Sequence, residues 1–201
     1  TLPSSLEAIR DSAFSNCSGI ETLEYKGAID QWLSIELGLF WMGDFSHTFI
    51  VNGEELTNLV VPEGVTSIGE RAFYGCTGLT SITLPSSLEA IRDHAFYYCN
   101  RLSGELDLGN CTSLTSIGYS AFRYCRGLTS ITFPSSLETI GDSAFRNCSG
   151  LTELDLSNCT SLISIRERAF YNCSGLTSIT LPSSLTSIGN WAFQNCTSLT
   201  T

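Results

Sequence analysis

Seven cysteines, Cys17, Cys76, Cys99, Cys125, Cys148, Cys173 and Cys196, each stand three residues after an Ala-Phe dipeptide. Thiols at fixed intervals can ligate a metal, pair as disulfides or attack an electrophile. A zinc site needs local pairs such as C-x-x-C, and the chain contains none. Disulfides fail on geometry: equivalent thiols on stacked units point in parallel, and an odd ladder cannot pair completely. What remains is a small apolar side chain filling a repeated core slot. Cys111 and Cys159 lie in two longer turns and are assigned the same role. The reading is therefore reduced thiols, with no metal and no cofactor.

Other chemistry finds little to work with. Ser and Thr total fifty residues, so serine nucleophile candidates are everywhere and repetition explains them. Only His47 and His94 are available as bases, in unrelated contexts. His94 stands before Ala-Phe, where other units carry Ser, Arg or Trp, and is expected to be exposed. No Ser-His-Asp constellation is legible, and no enzyme is expected. Asn-Cys-Ser/Thr at Asn16, Asn110, Asn147, Asn158, Asn172 and Asn195 matches a glycosylation sequon. The repeat itself generates these tripeptides. A net charge of −10 with a single lysine leaves no basic stripe for nucleic acid. No apolar run is long enough to span a membrane.

Two surface strips carry the recognition chemistry. Outward positions of successive strands read Ser81/Thr83, Glu105/Asp107, Ser130/Thr132, Glu153/Asp155 and Ser178/Thr180, so acidic rungs alternate with hydroxyl rungs. Spaced carboxylate pairs do not converge as calcium ligands must. They form either a solvated face that blunts aggregation or a strip for a basic or polar partner. The second strip follows Ala-Phe: Tyr74, Tyr97-Tyr98, Arg123-Tyr124, Arg146 and Tyr171. Tyr and Arg dominate interface hot spots, and stacked tyrosines also hold sugar rings. The same residues can simply stack on one another along an exposed ridge.

A repeat positions all of these. Ala-Phe recurs at spacings of 59, 23, 26, 23, 25 and 23 residues. The clearest copy, Leu176 to Cys196, reads L-T-S-I-T-L-P-S-S-L-T-S-I-G-N-W-A-F-Q-N-C. In its twin from Leu79 to Cys99, Ile82 and Leu84 face inward on a strand and Ser81 and Thr83 face outward. Pro85 ends the strand and opens a turn. Leu88 and Ile91 then form a second short extended segment. Acids two residues before Ala-Phe (Asp11, Glu70, Asp93, Asp142, Glu167) are placed to accept free amides of a short helical turn. One such unit cannot bury its own apolar face, so units must stack. Two units are longer in their turns, and one extra residue around Gly104 marks a bulge.

The first gap carries 36 more residues than one unit. Residues 20–61 are read as an insertion of a helix over Ala28–Leu37 plus a β-hairpin across Asn52-Gly53. Residues 1–201 thus form one solenoid of about seven ~23-residue units, with that interruption. Both ends cut through a unit, so apolar edges, end-to-end contacts and a longer parent protein are expected.

The motif L-T-S-I-T-L-P-S-S-L-x-x-I-G-x-x-A-F-x-x-C resembles the BspA-type leucine-rich repeat family. The segment Tyr25-Lys26-Gly27 with Gln31-Trp32 is similar to one often interleaved in such arrays. The resemblance implies a right-handed leucine-rich-repeat-like solenoid with parallel rungs, in bacterial surface or secreted proteins. It implies no catalytic residue. The expected function is a monomeric, non-enzymatic, extracellular protein-binding or adhesion module. A carbohydrate-binding module and a ligand-free spacer are the alternatives. The candidate surface comprises Glu105, Asp107, Glu153, Asp155, Tyr97, Tyr98, Arg123, Tyr124 and Tyr171.

Overall fold

A computed structural model of the chain describes residues 1–38, 41–42 and 47–200. The elements run β1 (Ala8–Ile9), β2 (Thr22–Tyr25), α1 (Ile29–Ser34), β3 (Glu36–Leu37), β4 (Thr48–Val51) and β5 (Glu54–Glu55). There follow β6 (Asn58–Val60), β7 (Ser67–Ile68), β8 (Ser81–Thr83), β9 (Ala90–Ile91), β10 (Ser103–Asp107) and β11 (Ser116–Ile117). The last are β12 (Gly127–Thr132), β13 (Thr139–Ile140), β14 (Glu153–Asp155), β15 (Ser164–Ile165), β16 (Ser178–Thr180) and β17 (Ser187–Ile188).

Successive coils stack in parallel, and the fold is a β-solenoid. Its continuous sheet is not the one the longer strands suggest. The two-residue segments β7, β9, β11, β13, β15 and β17 form a six-stranded parallel sheet, each Ile over the next. From β6 onward the longer strands pair as β6–β8, β10–β12 and β14–β16. Single bonds join these pairs, Ser103 N–H to the Thr80 carbonyl and Thr152 N–H to that of Thr129. The expected bulge is present: register shifts between Gly104 and Glu105, where Gly104 takes φ 79°.

The core is a column of like side chains. Phe73, Phe96, Phe122, Phe145, Phe170 and Phe193 stack at centroid spacings of 5.1–5.5 Å, with ring planes within 11°. Beside it run the buried Leu and Ile of most rungs and the buried cysteines. Each coil buries its apolar face only against its neighbours, so the fold's stability resides in the stacking.

Hydroxyls stitch one rung to the next. The second Ser of the Pro-Ser-Ser turns after Pro85, Pro134 and Pro182 donates to a carbonyl of the preceding rung: Ser87 to Val65, Ser136 to Leu114 and Ser184 to Leu162, at 2.8–2.9 Å. Thr80, Thr177 and Thr186 do the same to Thr57, Thr152 and Ile163. The serine hydroxyls reach turn carbonyls just before the short strands, while the Thr57, Thr152 and Ile163 carbonyls accept a backbone amide as well as the hydroxyl. The abundance of Ser and Thr is structural.

Much of the segment 20–61 is threaded into the stack. Strand β2 pairs in parallel with β4 from Thr22↔Thr48 to Tyr25↔Val51, and β1 pairs with β3. Phe14 N–H donates to the Trp41 carbonyl at 2.8 Å, the bond that Phe73, Phe96, Phe122, Phe145 and Phe170 make to the next unit's Ala. The extra length is taken up by α1 and by the β4–β5 hairpin. That hairpin turns on Asn52 and Gly53 with φ 51° and 91°. Residues 39–40 and 43–46 of the segment lie outside the described residues. Helix α1 stops at Ser34, short of the expected Leu37, because Ile35 is already extended and leads into β3. Gln31 accepts from the Ala28 amide at 2.9 Å, and Trp32 is buried against Tyr25, Trp41 and Phe49.

Candidate functional site

The Ala-Phe segment was expected to be a short helical turn. It is instead a tight turn with two left-handed residues, one before Ala and one before Cys. His94 and Tyr98 have φ of 56° and 63°, Ser120 and Tyr124 52° and 67°, and Ser143 and Asn147 57° and 63°. Such a turn aims its amides along the solenoid axis. Phe96, Phe122 and Phe145 each donate to the Ala carbonyl of the next rung at 2.8 Å. Tyr98, Tyr124 and Asn147 donate to Arg123, Arg146 and Tyr171 in the same way, at 2.8–2.9 Å. The conserved spacing of these bonds lines up the ridge side chains rung on rung.

The acids before Ala-Phe also work between rungs. Asp93 accepts from the Tyr119 amide at 2.7 Å and Asp142 from the Glu167 amide at 3.0 Å. Each carboxylate thus serves the equivalent position of the following coil, not a helix start in its own.

On the ridge, tyrosines and arginines hold one another. Tyr74 and Tyr97 stack at 4.7 Å with planes 5° apart, and Tyr124 meets Tyr97 and Tyr98 edge-on at 5.7 and 5.4 Å. The Arg123 guanidinium lies 5.0 Å from the Tyr124 ring centre and 5.5 Å from that of Tyr97. Arg126 lies 5.5 Å from Tyr124, and Arg146 lies 4.7 Å from Tyr171. Arg123 also donates to the Tyr124 hydroxyl, which lowers the phenol pKa from its ordinary value. Two expectations need correction. Tyr74 is buried beneath Tyr97, with 4% exposure, so it cannot meet a ligand. His94 is half-buried against Tyr97 and Tyr119 because its left-handed backbone turns it onto the ridge.

The strand face has the register that the sequence implies. Glu105 and Asp107 stand beside Ser130 and Thr132, and Glu153 and Asp155 beside Ser178 and Thr180. Thr132 donates to Glu105 at 2.7 Å, and the Gly109 and Ser157 amides are held by Asp107 and Asp155 at 2.8 and 2.9 Å. The Ser157 amide holds the Asp155 carboxyl below its usual value. An open groove of about 390 Å³ has Ser130 and Thr132 along it, with Glu105, Glu153, Asp155 and Asn158 around them. No cation pairs with these carboxylates among the described residues.

All nine cysteines are free. Eight are buried, and burial drives their thiols up, to about 11 for Cys111 and Cys159. Cys17 departs from the expected core slot: it is exposed, in the outermost coil of the described stack. Among the described residues no three His, Cys, Asp or Glu side chains are placed to hold a metal ion.

Six copies of the BspA type leucine-rich repeat region match this chain, over residues 1–37, 46–158 and 110–201. The chain belongs to the BspA-type leucine-rich repeat family. A T. pallidum leucine-rich repeat protein is 26% identical with TM-score 0.59, over 96% of this chain and 72% of its own. A leucine-rich repeat protein of Eubacterium ventriosum has TM-score 0.72 at 22% identity, a likeness of fold alone. This BspA-type chain is covered completely in that match and spans 53% of the Eubacterium protein. No curated protein sequence matches it.

For a BspA-type array, the strand face and the turn ridge are the surfaces with ordered chemistry. The left-handed positions are the feature that sequence reasoning missed. Their signal was present in Asn before Cys at Asn147, Asn172 and Asn195, since Asn tolerates that conformation best after Gly.

Proposed function

We propose that this chain is a non-enzymatic recognition module of an extracellular or cell-surface protein, binding a protein partner through its strand face. The carrying observation is the groove between Glu105 and Glu153/Asp155, whose carboxylates no cation neutralises among the described residues. A basic side chain of a partner fits between two acidic rungs, and electrostatic complementarity would set its register and on-rate. Family membership supports a protein-interaction or surface role; adhesion and export belong to the proposal. No helix among the described residues is long and apolar enough to cross a membrane. The test is binding of the purified chain to immobilised matrix proteins, beside a Glu105→Gln, Glu153→Gln, Asp155→Asn variant. Selective, salt-sensitive capture that the variant loses supports the reading. Equal capture by both removes the strand face as the site, and no capture by either leaves a spacer.

A second reading places a carbohydrate on the ridge. It is favoured by half-buried Tyr97, Tyr98 and Tyr124, which pack on one another so that their rings are fixed before any ligand arrives. A glycan array on which Tyr97→Ala and Tyr124→Ala change nothing would remove it.

A further inference from the structure

We infer that the turn ridge is a binding surface for an acidic polysaccharide, read by Arg123, Arg126 and Arg146 across the tyrosine stack. The inference rests on the carbohydrate reading and adds the charge of the ligand.

Charge is segregated on this molecule. The net charge is −10, and Arg10, Lys26, Arg71 and Arg168 all pair with a neighbouring carboxylate, Glu36, Glu24, Glu70 and Glu167. Arg92, Arg101 and Arg166 have no such pair among the described residues, nor do the arginines at the centre of the ridge, which differ in lying on tyrosine rings. Among the described residues no carboxylate pairs with Arg123, Arg126 or Arg146; each rests on a tyrosine face instead. The positions that project here, after Phe and on either side of Cys, carry Tyr, Arg, Asn, Ser, Thr, Gly and Gln from Tyr74 onward, and no acid. A cation on an aromatic face keeps its outward N–H groups for an anion. Arginine forks suit carboxylate and sulfate groups in particular.

The geometry selects a linear ligand. Arg123 and Arg146 occupy the same position on consecutive rungs, and the Phe rings beneath repeat at 5.3 Å. An extended sugar chain advances by roughly one rung per ring, so charges carried on its rings can meet successive rungs. In the neighbouring row, Asn147 and Asn172 follow Tyr98 and Tyr124, with amides joined at 2.8 Å, suited to hydroxyl groups. An acidic peptide is less well served. Peptides add to a free strand edge or lie in an apolar groove, and here the turn amides are already committed from rung to rung. Single-stranded nucleic acid, which would stack its bases on the same rings, is the competing polyanion, and oligo-dT separates it in the test below.

The test uses the whole chain and fluorescence anisotropy. The probes are a chondroitin sulfate oligosaccharide, a neutral β-glucan oligosaccharide, a poly-glutamate peptide and oligo-dT. Chondroitin sulfate should bind best, with a log-affinity slope against log salt of about −2 to −3 if three arginines act. Arg123→Gln with Arg146→Gln should weaken it at least tenfold, and the Lys pair should recover part of the loss. Glu105→Gln with Glu153→Gln should leave it unchanged. Thermal melts confirm that the variants fold. Equal binding of the neutral oligosaccharide, with no effect of the Arg variants, overturns the charge inference and keeps the carbohydrate reading. No binding of either sugar overturns both. Preference for poly-glutamate or oligo-dT overturns the choice of ligand.

Discussion

The thiol of Cys148 donates to the carbonyl oxygen of Phe122, one rung upstream, at 3.2 Å. The same step links Cys99 to Phe73, Cys125 to Phe96, Cys173 to Phe145 and Cys196 to Phe170, at 3.2–3.3 Å. The Phe122 oxygen already accepts the amide of Cys125 in its own turn. A slot of this kind wants a small apolar side chain with one weak donor, and cysteine supplies both.

Thiol reactivity should follow from this arrangement. The thiolate is the reactive form, and burial holds the column thiols in the neutral state. A disulfide reagent at neutral pH should therefore label one thiol quickly, that of exposed Cys17. The other eight should react only as the stack opens, Cys196 first, since it is the least covered of them. Rapid labelling of several thiols in the native protein, or fewer than nine in denaturant without reductant, would overturn the reduced column.

Ser120 tests the left-handed turn. It has φ 52°, is fully buried, and its hydroxyl has no hydrogen-bond partner among the described residues. Both features oppose folding: the backbone conformation costs an L-residue about 1–2 kcal/mol, and an unpaired buried hydroxyl costs about as much. Ser120→Gly should raise stability by ~0.5–1 kcal/mol, while Ser120→Val should lower it by more than ~1 kcal/mol. Urea denaturation of both variants decides. A destabilised glycine variant would mean that the position needs its side chain.

Glu70 gives a pH dependence of defined sign. Burial raises its pKa above the usual carboxylate value, Asp93 adds to this, and Arg71 offsets part. The folded chain thus binds the Glu70 proton more tightly than the unfolded chain does. Ionised Glu70 opposes folding at neutral pH, and that opposition fades as pH falls through its raised pKa. Glu70→Gln should increase the melting temperature at pH 7, with the gain shrinking as the wild-type carboxyl protonates. A lower melting temperature for the variant at pH 7 would show that the Arg71 pair dominates.

The stacking of like residues was legible because Phe96, Phe122 and Phe145 occupy one position of a repeat, and such a repeat buries its apolar face only by piling up. The acidic and hydroxyl rungs were legible for the same reason: alternation along a strand fixes which side Glu105 and Ser130 take. What escaped were bonds that no single unit contains. Asp142 satisfies an amide of the next coil, and Ser136 a carbonyl of the previous one. Periodicity shows that such residues recur without showing which neighbour they serve. The segment 20–61 was hard for a related reason. Ile20, Leu23 and Tyr25 keep the strand spacing, but Trp41-Met42 in place of Ala-Phe hides the coil from a search on that dipeptide.

Trp32 provides the last test, of how α1 joins the repeats. Each regular Ala carbonyl accepts the Phe amide of the preceding rung, as Ala95 does from Phe73. Ala72, the first Ala beyond the irregular coil, accepts the indole N–H of Trp32 instead, at 3.1 Å in the buried interior. The helix therefore contributes both a ring to the aromatic packing and a donor to the ladder. Trp32→Phe retains most of the ring and deletes the donor, which should cost about 1–3 kcal/mol for a carbonyl left without it. Trp32→Ala should cost more, about 3–5 kcal/mol, because a cavity is added between Tyr25, Trp41 and Phe49. If the two variants lose equal stability, the indole bond outweighs the packing; if Trp32→Phe is neutral, the helix only fills space and the Ala72 carbonyl is satisfied by other means.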